Sequence, residues 1–237
     1  MAAVREDVAD AVRRELAKEG NPGRAKGQQT YMKSTMPFRG ISAPQLKATL
    51  RPLLLDPANR LTRRDEWEAT VRSLWDTAQF REERYAALAI SRQRLYRHWA
   101  RDRSTMPLYR YLTESGAWWD YVDEIAAHLV GPVLTAHPET ESDRMRSWAI
   151  SGNMWVRRAS ILSQLLSKKE TDRQLLLDCI TANLSDPDFF IRKAIGWSLR
   201  QYARTDTQAA EWVRASVDHL GPRLSPLSRR EALKHLD

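Results

Sequence analysis

One acidic residue, Asp123, lies in a setting that could support chemistry on a positively charged centre. It follows a run rich in aromatic residues, Trp118-Trp119-Asp120-Tyr121. A carboxylate can stabilise positive charge that develops in a transition state, and indole rings add cation–π attraction. Asp123 is therefore a candidate reactive group. The alternative is that this acid is a solvated surface residue or the partner of a neighbouring arginine.

The position of Asp123 within an internal repeat strengthens its candidacy. Four similar segments end in Arg-x-Ala, and their alanines lie at 86, 159, 194 and 232. The spacings are 73, 35 and 38 residues, so one repeat is missing near the middle of the first gap. Asp123 fills this register, 37 residues after Ala86 and 36 before Ala159. The fifth repeat thus carries an acid where the others carry alanine.

Basic and aromatic residues recur at fixed distances from these anchors. Two positions earlier, four repeats carry arginine: Arg84, Arg157, Arg192 and Arg230, with Arg158 and Lys193 directly after two of them. Four positions earlier, three consecutive repeats carry an aromatic residue: Trp119, Trp155 and Phe190. A basic stripe with interleaved aromatic residues is typical of a nucleic-acid groove. The alternative is an Arg–Asp ladder that links neighbouring repeats.

These residues must be positioned by helices, because helix-forming residues dominate and strand-like alternation is absent. We predict helices over 3–19, 43–55, 63–78, 81–101, 106–115, 118–134, 139–150, 155–167, 171–184, 188–204, 207–219 and 226–236. The glycine- and proline-rich segment 19–40 is predicted to be a loop or a short, broken helical element. The repeat resembles a HEAT repeat, which predicts an all-α, right-handed superhelical solenoid with a concave basic groove. We expect a single domain over residues 1–237.

Composition favours a polyanionic partner and argues against disulfide-stabilised, metal-binding and membrane-spanning proteins. A net charge of +8 favours a polyanionic partner, and 30 of the 38 basic residues are arginine, which can bind phosphate bidentately. A lone cysteine makes an intramolecular disulfide impossible, and the five histidines never lie three or four apart, so no metal site is expected. No apolar stretch is long enough to cross a membrane, and the N-terminus lacks an apolar signal core.

Five segments together resemble the DNA alkylation repair protein family, the AlkD-like DNA glycosylases built from HEAT-like repeats. They lie at 31–41 (Tyr-Met-Lys and Pro-Phe-x-Gly-Ile), 117–123 (Ala-Trp-Trp-Asp-Tyr-Val-Asp), 155–159 (Trp-Val-Arg-Arg-Ala), 189–202 and 224–232. The resemblance runs from near residue 31 to the end of the chain. It implies excision of N3- and N7-alkylated purines without a metal or a cofactor.

The resemblance also implies roles for particular residues. The catalytic group would consist of Asp123, Trp119 and Trp197. Together with the basic residues of the repeat positions, this gives a predicted DNA-binding set of Tyr31, Arg84, Arg157, Arg158, Arg192, Lys193, Arg200 and Arg230. Arg158 matches the family's arginine and is interpreted as a phosphate clamp near the lesion. The choice between Arg157 and Arg158 stays open, because only one of two adjacent side chains can point into the groove.

The chemistry of such a substrate fits these residues. An N3- or N7-alkylated purine is a cation that leaves as a neutral base, so no general acid is needed. The sugar becomes oxocarbenium-like as the bond breaks, and Asp123 between two indoles could stabilise it and orient water. No lysine lies beside Asp123 in the segment 117–123, so we expect monofunctional hydrolysis without a Schiff-base intermediate.

Two other functions remain open at this point. The protein could be a HEAT-repeat binder of DNA structure that performs no excision, or a HEAT scaffold that binds another protein. On the favoured interpretation the partner is double-stranded DNA with alkylated bases. The protein is then expected to be a cytoplasmic monomer, away from membranes and associated with the nucleoid when bound to DNA.

Overall fold

All regular structure in the described part of the protein is helical. The structure is a computed structural model that describes residues 4–236, and it has no strand in that range. This confirms the all-α prediction. None of the helices within 4–236 is long and apolar enough to span a membrane.

The chain divides into two compact units, residues 1–99 and 100–237, which are described separately. The first half of the chain contains α1 (Glu6–Lys18), α2 (Pro22–Met32), α3 (Ala43–Leu55), α4 (Arg64–Asp76), α5 (Arg81–Ser91) and the short α6 (Arg97–Ala100). The second half contains α7 (Met106–Gly116), α8 (Trp119–Ile125), α9 (Gly131–Ala136), α10 (Pro138–Ala149), α11 (Met154–Leu162), α12 (Arg173–Thr181), α13 (Phe189–Ala203), α14 (Thr207–Leu220) and α15 (Pro226–Leu233). The single-domain assignment stays a prediction.

The core of the first unit lies between α1, α3, α4 and α5, which contact one another. The second helix, α2, corrects the expectation for residues 19–40, because it is unbroken over eleven residues. Asn21 caps it by accepting from the Arg24 N–H, and Pro22 occupies its first turn. Among its residues only Met32 is buried. A helix with so little apolar surface has no hydrophobic periodicity for sequence analysis to detect.

The segment after α2 is held by a buried acid, Glu82 of α5. Its carboxylate accepts hydrogen bonds from the backbone N–H groups of Arg39, Gly40 and Ile41, at 2.9, 3.0 and 3.1 Å. Gly40 has a φ of 87°, and a Cβ there would lie 2.0 Å from the carbonyl oxygen of Asn21. The close approach and the left-handed backbone therefore both require glycine at position 40.

In the second unit the helices that carry the repeat anchors pack in succession. Helix α8 contacts α11, α11 contacts α13, and α13 contacts α15, while α7 packs on α8 and α10 on α11. The four anchor alanines, Ala86 in the first unit and Ala159, Ala194 and Ala232 in the second, are fully buried. A methyl group allows two helices to approach closely, so the burial of these alanines agrees with the predicted repeat register.

Two long predicted helices are interrupted in the structure. The helix predicted over 81–101 ends at Ser91, because the backbone of Gln93 is extended and its side chain caps the Arg94 N–H. The helix predicted over 118–134 contains a π-helical turn, Ala126–Val130, between α8 and α9. Pro132, just beyond this turn, has no N–H and its ring excludes ordinary α-helical bonding at that point.

Candidate functional site

Asp123 forms a bidentate ion pair with Arg158. Arg158 Nε lies 2.7 Å from Asp123 Oδ1, and Nη2 lies 2.8 Å from Oδ2. The third nitrogen of the guanidinium, Nη1, donates to the backbone carbonyl of Phe190. The Arg158 side chain is only 5% exposed and that of Asp123 is 13% exposed. The carboxylate is thus held in one orientation, and a small part of the Asp123 side chain still reaches solvent.

The repeat architecture creates this pair. Asp123 occupies the anchor position of α8, and Arg158 lies one position before the anchor of α11, the next helix in the stack. Helix α11 begins at a well-defined cap, because Asn153 Oδ1 accepts from the N–H groups of Trp155 and Val156 at 2.9 and 3.3 Å. The fixed start of α11 sets the height at which Arg158 meets Asp123.

Three aromatic rings pack together beside the pair. Ring centroids are separated by 6.0 Å for Trp118 and Trp155, 5.6 Å for Trp118 and Phe190, and 5.1 Å for Trp155 and Phe190. The Arg158 guanidinium carbon lies 5.9 Å from the centre of the Phe190 ring. Trp118 stands directly before α8, whereas the other two lie in the first turns of α11 and α13. The starts of three successive helices therefore form one aromatic cluster.

The surroundings of Asp123 shift its acidity. Burial raises the pKa of this carboxyl group, with a smaller contribution from the negative charge of Asp120, and the hydrogen bonds and charge of Arg158 oppose the rise. Groups with such perturbed pKa values are enriched at functional sites.

The two tryptophans predicted to flank Asp123 are not members of the aromatic cluster of Trp118, Trp155 and Phe190. Trp119 and Trp197 are both half-buried. Within residues 4–236, neither stacks on another ring nor donates a hydrogen bond from its indole nitrogen. The sequence predicted that Trp119, Trp155 and Phe190 lie together. In the structure Trp118, and not Trp119, contacts Trp155 and Phe190. Sequence analysis missed Trp118 because it precedes the helix and so lies outside the helical register.

The structure settles what each member of the Arg157–Arg158 pair contacts. Arg157 Nη2 lies 2.7 Å from Asp186 Oδ2, and its Nη1 donates to the carbonyl of Ser151 at 2.8 Å. Both arginines therefore bind an aspartate contributed by another repeat, as the ladder alternative expects. The exposed guanidinium that a phosphate clamp needs is absent at Arg158, because its described contacts are with Asp123 and Phe190.

The other predicted DNA-binding residues are dispersed. Arg84 of the first unit lies over the Trp75 ring, with 4.8 Å from its guanidinium carbon to the ring centroid. Tyr31, also in the first unit, is 75% exposed. Arg192 donates to the carbonyl of Asp188 at 3.4 Å, and Arg230 is exposed. Lys193 and Arg200 both bind Glu231, at 2.9 and 2.6 Å.

No group of three or more His, Cys, Asp or Glu side chains within residues 4–236 is arranged to hold a metal ion. The free Cys179 is buried, which raises the pKa of its thiol to about 12.

Fold and site together define the chain as a helical-repeat protein with a buried Asp–Arg pair beside an aromatic cluster. The sequence model of the DNA alkylation repair enzyme family matches residues 12–236, and the chain belongs to that family. Among solved structures, a predicted DNA alkylation repair enzyme from Enterococcus faecalis is similar at 31% identity, with a TM-score of 0.76. The similarity covers 92% of this chain and 97% of that one. No curated protein matches the sequence.

Family membership supports a role in DNA repair and an interaction with DNA. It also bears out the resemblance that the sequence motifs suggested. The TM-score of 0.76 over most of both chains shows that this chain shares the fold of that structure.

Proposed function

We propose that the protein is a monofunctional DNA glycosylase that hydrolyses the N-glycosidic bond of cationic N3- or N7-alkylated purines in duplex DNA. The observation that carries the proposal is the Asp123–Arg158 pair. It holds the carboxylate of a partly exposed Asp123 side chain in a fixed orientation, at the one repeat anchor that is not alanine.

The substrate itself explains why one carboxylate is enough. An alkylated purine cation departs as a neutral base, so the leaving group needs no proton from the protein. Positive charge then develops on the sugar, as in glycoside hydrolysis generally. A preorganised anion near that carbon stabilises the transition state and can orient the attacking water.

Arg158 acts as the residue that orients this anion. Each carboxylate oxygen has a second lone pair beyond the one used by Arg158, so the pair leaves acceptor capacity for water or for the sugar. The positive guanidinium also opposes the effect of burial on the pKa of Asp123 and favours the ionised form. This assigns Arg158 a positioning role, in place of the phosphate clamp expected from the sequence.

Tryptophan and basic side chains would complete the site. Trp119 and Trp197 are proposed to contact the lesion, because desolvated indoles attract cations by about 0.5–2 kcal/mol. Arg192 and Arg230 are proposed to bind phosphate through sequence-independent contacts. The cluster of Trp118, Asp123, Trp155, Arg158 and Phe190 contains no lysine, which supports simple hydrolysis over Schiff-base chemistry.

The deciding experiment is single-turnover release of 7-methylguanine from a duplex that carries one such base. Abasic sites are cleaved afterwards and the strands are separated on a gel. Asp123→Asn removes the charge and keeps the shape, so excision should fall on the order of 10²–10³-fold. The matched control is Asp120→Asn, which makes the same charge change on the same helix and should remain within a few fold of the wild type.

The other outcomes discriminate between functions. If the Asp123→Asn variant excises the base at the wild-type rate, this acid has a structural role only. Salt-dependent DNA binding without base release by the wild type would establish the non-catalytic DNA binder. Absence of DNA binding would leave the protein-binding scaffold.

A further inference from the structure

Three charged residues form a cluster between α13 and α15. Glu231 Oε1 lies 2.9 Å from Lys193 Nζ, and Glu231 Oε2 lies 2.6 Å from Arg200 Nη1. Glu231 is nearly buried, whereas Lys193 remains 37% exposed. The hydrogen bond and charge of Lys193, followed by those of Arg200, lower the pKa of Glu231 to about 2. The acid is therefore ionised at neutral pH and cancels one of the two positive charges.

The two cations flank a tryptophan of the candidate site. Lys193, Trp197 and Arg200 are spaced by four and three residues along α13, so they share one face of that helix. Glu231 reaches this face because Gly196 lets α15 approach closely. A Cβ at Gly196 would lie 2.4 Å from Glu231 Cβ and 2.7 Å from the carbonyl oxygen of Ser228.

A phosphate and a carboxylate compete for the same donors. Both Lys193 and Arg200 belong to the predicted DNA-binding set, yet each already donates to Glu231. DNA phosphate can recruit either cation only by replacing the carboxylate or by sharing the cation with it. Arg230, one residue away, is exposed and has no ion pair or hydrogen bond within residues 4–236, so its guanidinium is open to phosphate without this competition.

We propose that Glu231 is a specificity-determining residue that competes with DNA phosphate for Lys193 and Arg200 and so weakens the hold on undamaged duplex. The proposal rests on the DNA-binding part of the proposed function. Undamaged DNA is bound through its phosphate backbone alone, so the affinity for it falls by the full contribution of each cation that Glu231 masks. Alkylated DNA gains additional contacts with the base and depends less on these two residues.

The test compares Glu231→Gln with Asp218→Asn by fluorescence anisotropy on an undamaged duplex at several salt concentrations. Asp218 is an exposed acid of α14 whose partner, Arg229 at 3.0 Å, lies outside the predicted DNA-binding set, so its variant matches the change in net charge without unmasking a member of that set. Unmasking one cation adds about one phosphate contact and steepens the log–log salt slope by about 0.9. Affinity at 0.1 M salt should rise on the order of five- to tenfold for Glu231→Gln and change little for Asp218→Asn.

The same experiment can overturn the proposal. Equal affinity changes in both variants would reduce the effect to net charge, and weaker binding by Glu231→Gln would mean that the acid holds the cations in place for DNA. If the wild type shows no salt-dependent binding, the proposed function itself fails, which is a different result. Loss of fold in Glu231→Gln is checked by circular dichroism.

A second comparison needs no change at Glu231. Lys193→Gln removes a masked cation and Arg230→Gln removes an unmasked one. The proposal expects the Arg230 variant to lose clearly more affinity for undamaged duplex and more of the salt slope. A larger loss from Lys193→Gln would show that Glu231 does not mask this lysine.

Discussion

Two buried acids in the protein are held in opposite ways. Glu82, in the first unit, is completely buried, and its carboxylate accepts hydrogen bonds from three backbone N–H groups of residues 39–41. Asp123, in the second unit, is bound by the side chain of Arg158 and keeps 13% of its own side chain exposed.

The difference lies in what each carboxylate can still do. Backbone donors cannot move away without unfolding the segment that carries them, so Glu82 acts as a structural anchor for residues 39–41. A guanidinium on a long side chain orients Asp123 and leaves acceptor capacity toward solvent. Burial of an acid is therefore no sign of function by itself, and the nature of its partner is what separates the two cases.

The largest effect should come from removing the partner of Asp123. Arg158→Ala leaves a buried carboxylate without its ion pair, which typically costs about 3–5 kcal/mol in the free energy of unfolding. Excision should also fall, by more than about 10²-fold, because the carboxylate loses its orientation. Urea unfolding and single-turnover excision measure the two effects, and Arg158→Lys serves as the conservative control. If the Arg158→Ala variant excises the base at the wild-type rate, Arg158 does not position Asp123 for catalysis.

Glu82→Gln should separate stability from activity. The amide offers one carbonyl oxygen to three backbone donors and turns an N–H₂ group toward the rest. Unsatisfied buried groups of this kind cost about 1–3 kcal/mol. The free energy of unfolding should fall by that amount, while the folded variant excises within about twofold of the wild-type rate. A large drop in its single-turnover rate would place Glu82 in the functional machinery and break the contrast with Asp123.

Truncation of the candidate lesion contacts should have a smaller effect on the rate. Trp119→Ala and Trp197→Ala each remove a contact worth about 1–2 kcal/mol, which corresponds to roughly 5- to 30-fold in excision. Trp212→Ala is the matched control, because this indole packs on Tyr202, with 5.4 Å between ring centroids. Equal losses in all three variants would indicate destabilisation and not contact with the lesion.

The smallest effect at neutral pH concerns the protonation of Asp123. Burial raises the pKa of this group above the ordinary value of 3.8. Only the ionised form stabilises a cationic sugar, so excision should decline as the pH falls through this raised pKa, earlier than an ordinary aspartate would require. A pH profile of the single-turnover rate measures the decline, and Asp123→Asn should lack this acidic limb. An identical limb in the variant would assign it to another group.

The repeat register was predictable because it depends on local rules. Small residues at a regular spacing predict close helix contacts, and the four anchor alanines are indeed buried. The anomaly at position 123 could be found from the same spacing. The choice between Arg157 and Arg158 could not be made, since it depends on how two adjacent side chains meet residues contributed by other repeats, Asp186 and Asp123.

Other features escaped sequence analysis for different physical reasons. Helix α2 is specified by its Asn21 cap and by the hydrogen bonds that Arg24 and Gln28 donate to the carbonyl groups of Gly40 and Ile41, not by an apolar stripe. Trp118 joins the aromatic cluster from outside the helical register. The pairing of Glu231 with Lys193 and Arg200 spans more than thirty residues and depends on the close approach at Gly196.

The π-helical turn at Ala126–Val130 has a consequence for hydrogen exchange. It lies directly after the helix that carries Asp123, and Pro132 supplies no N–H to support it. The missing N–H of Pro132 removes one backbone hydrogen bond at the end of this turn, and segments with fewer backbone bonds open at lower free energy than their surroundings. Amide protons of this turn should therefore exchange faster than those of α11, so that the segment directly after Asp123 opens before the helix that carries Arg158.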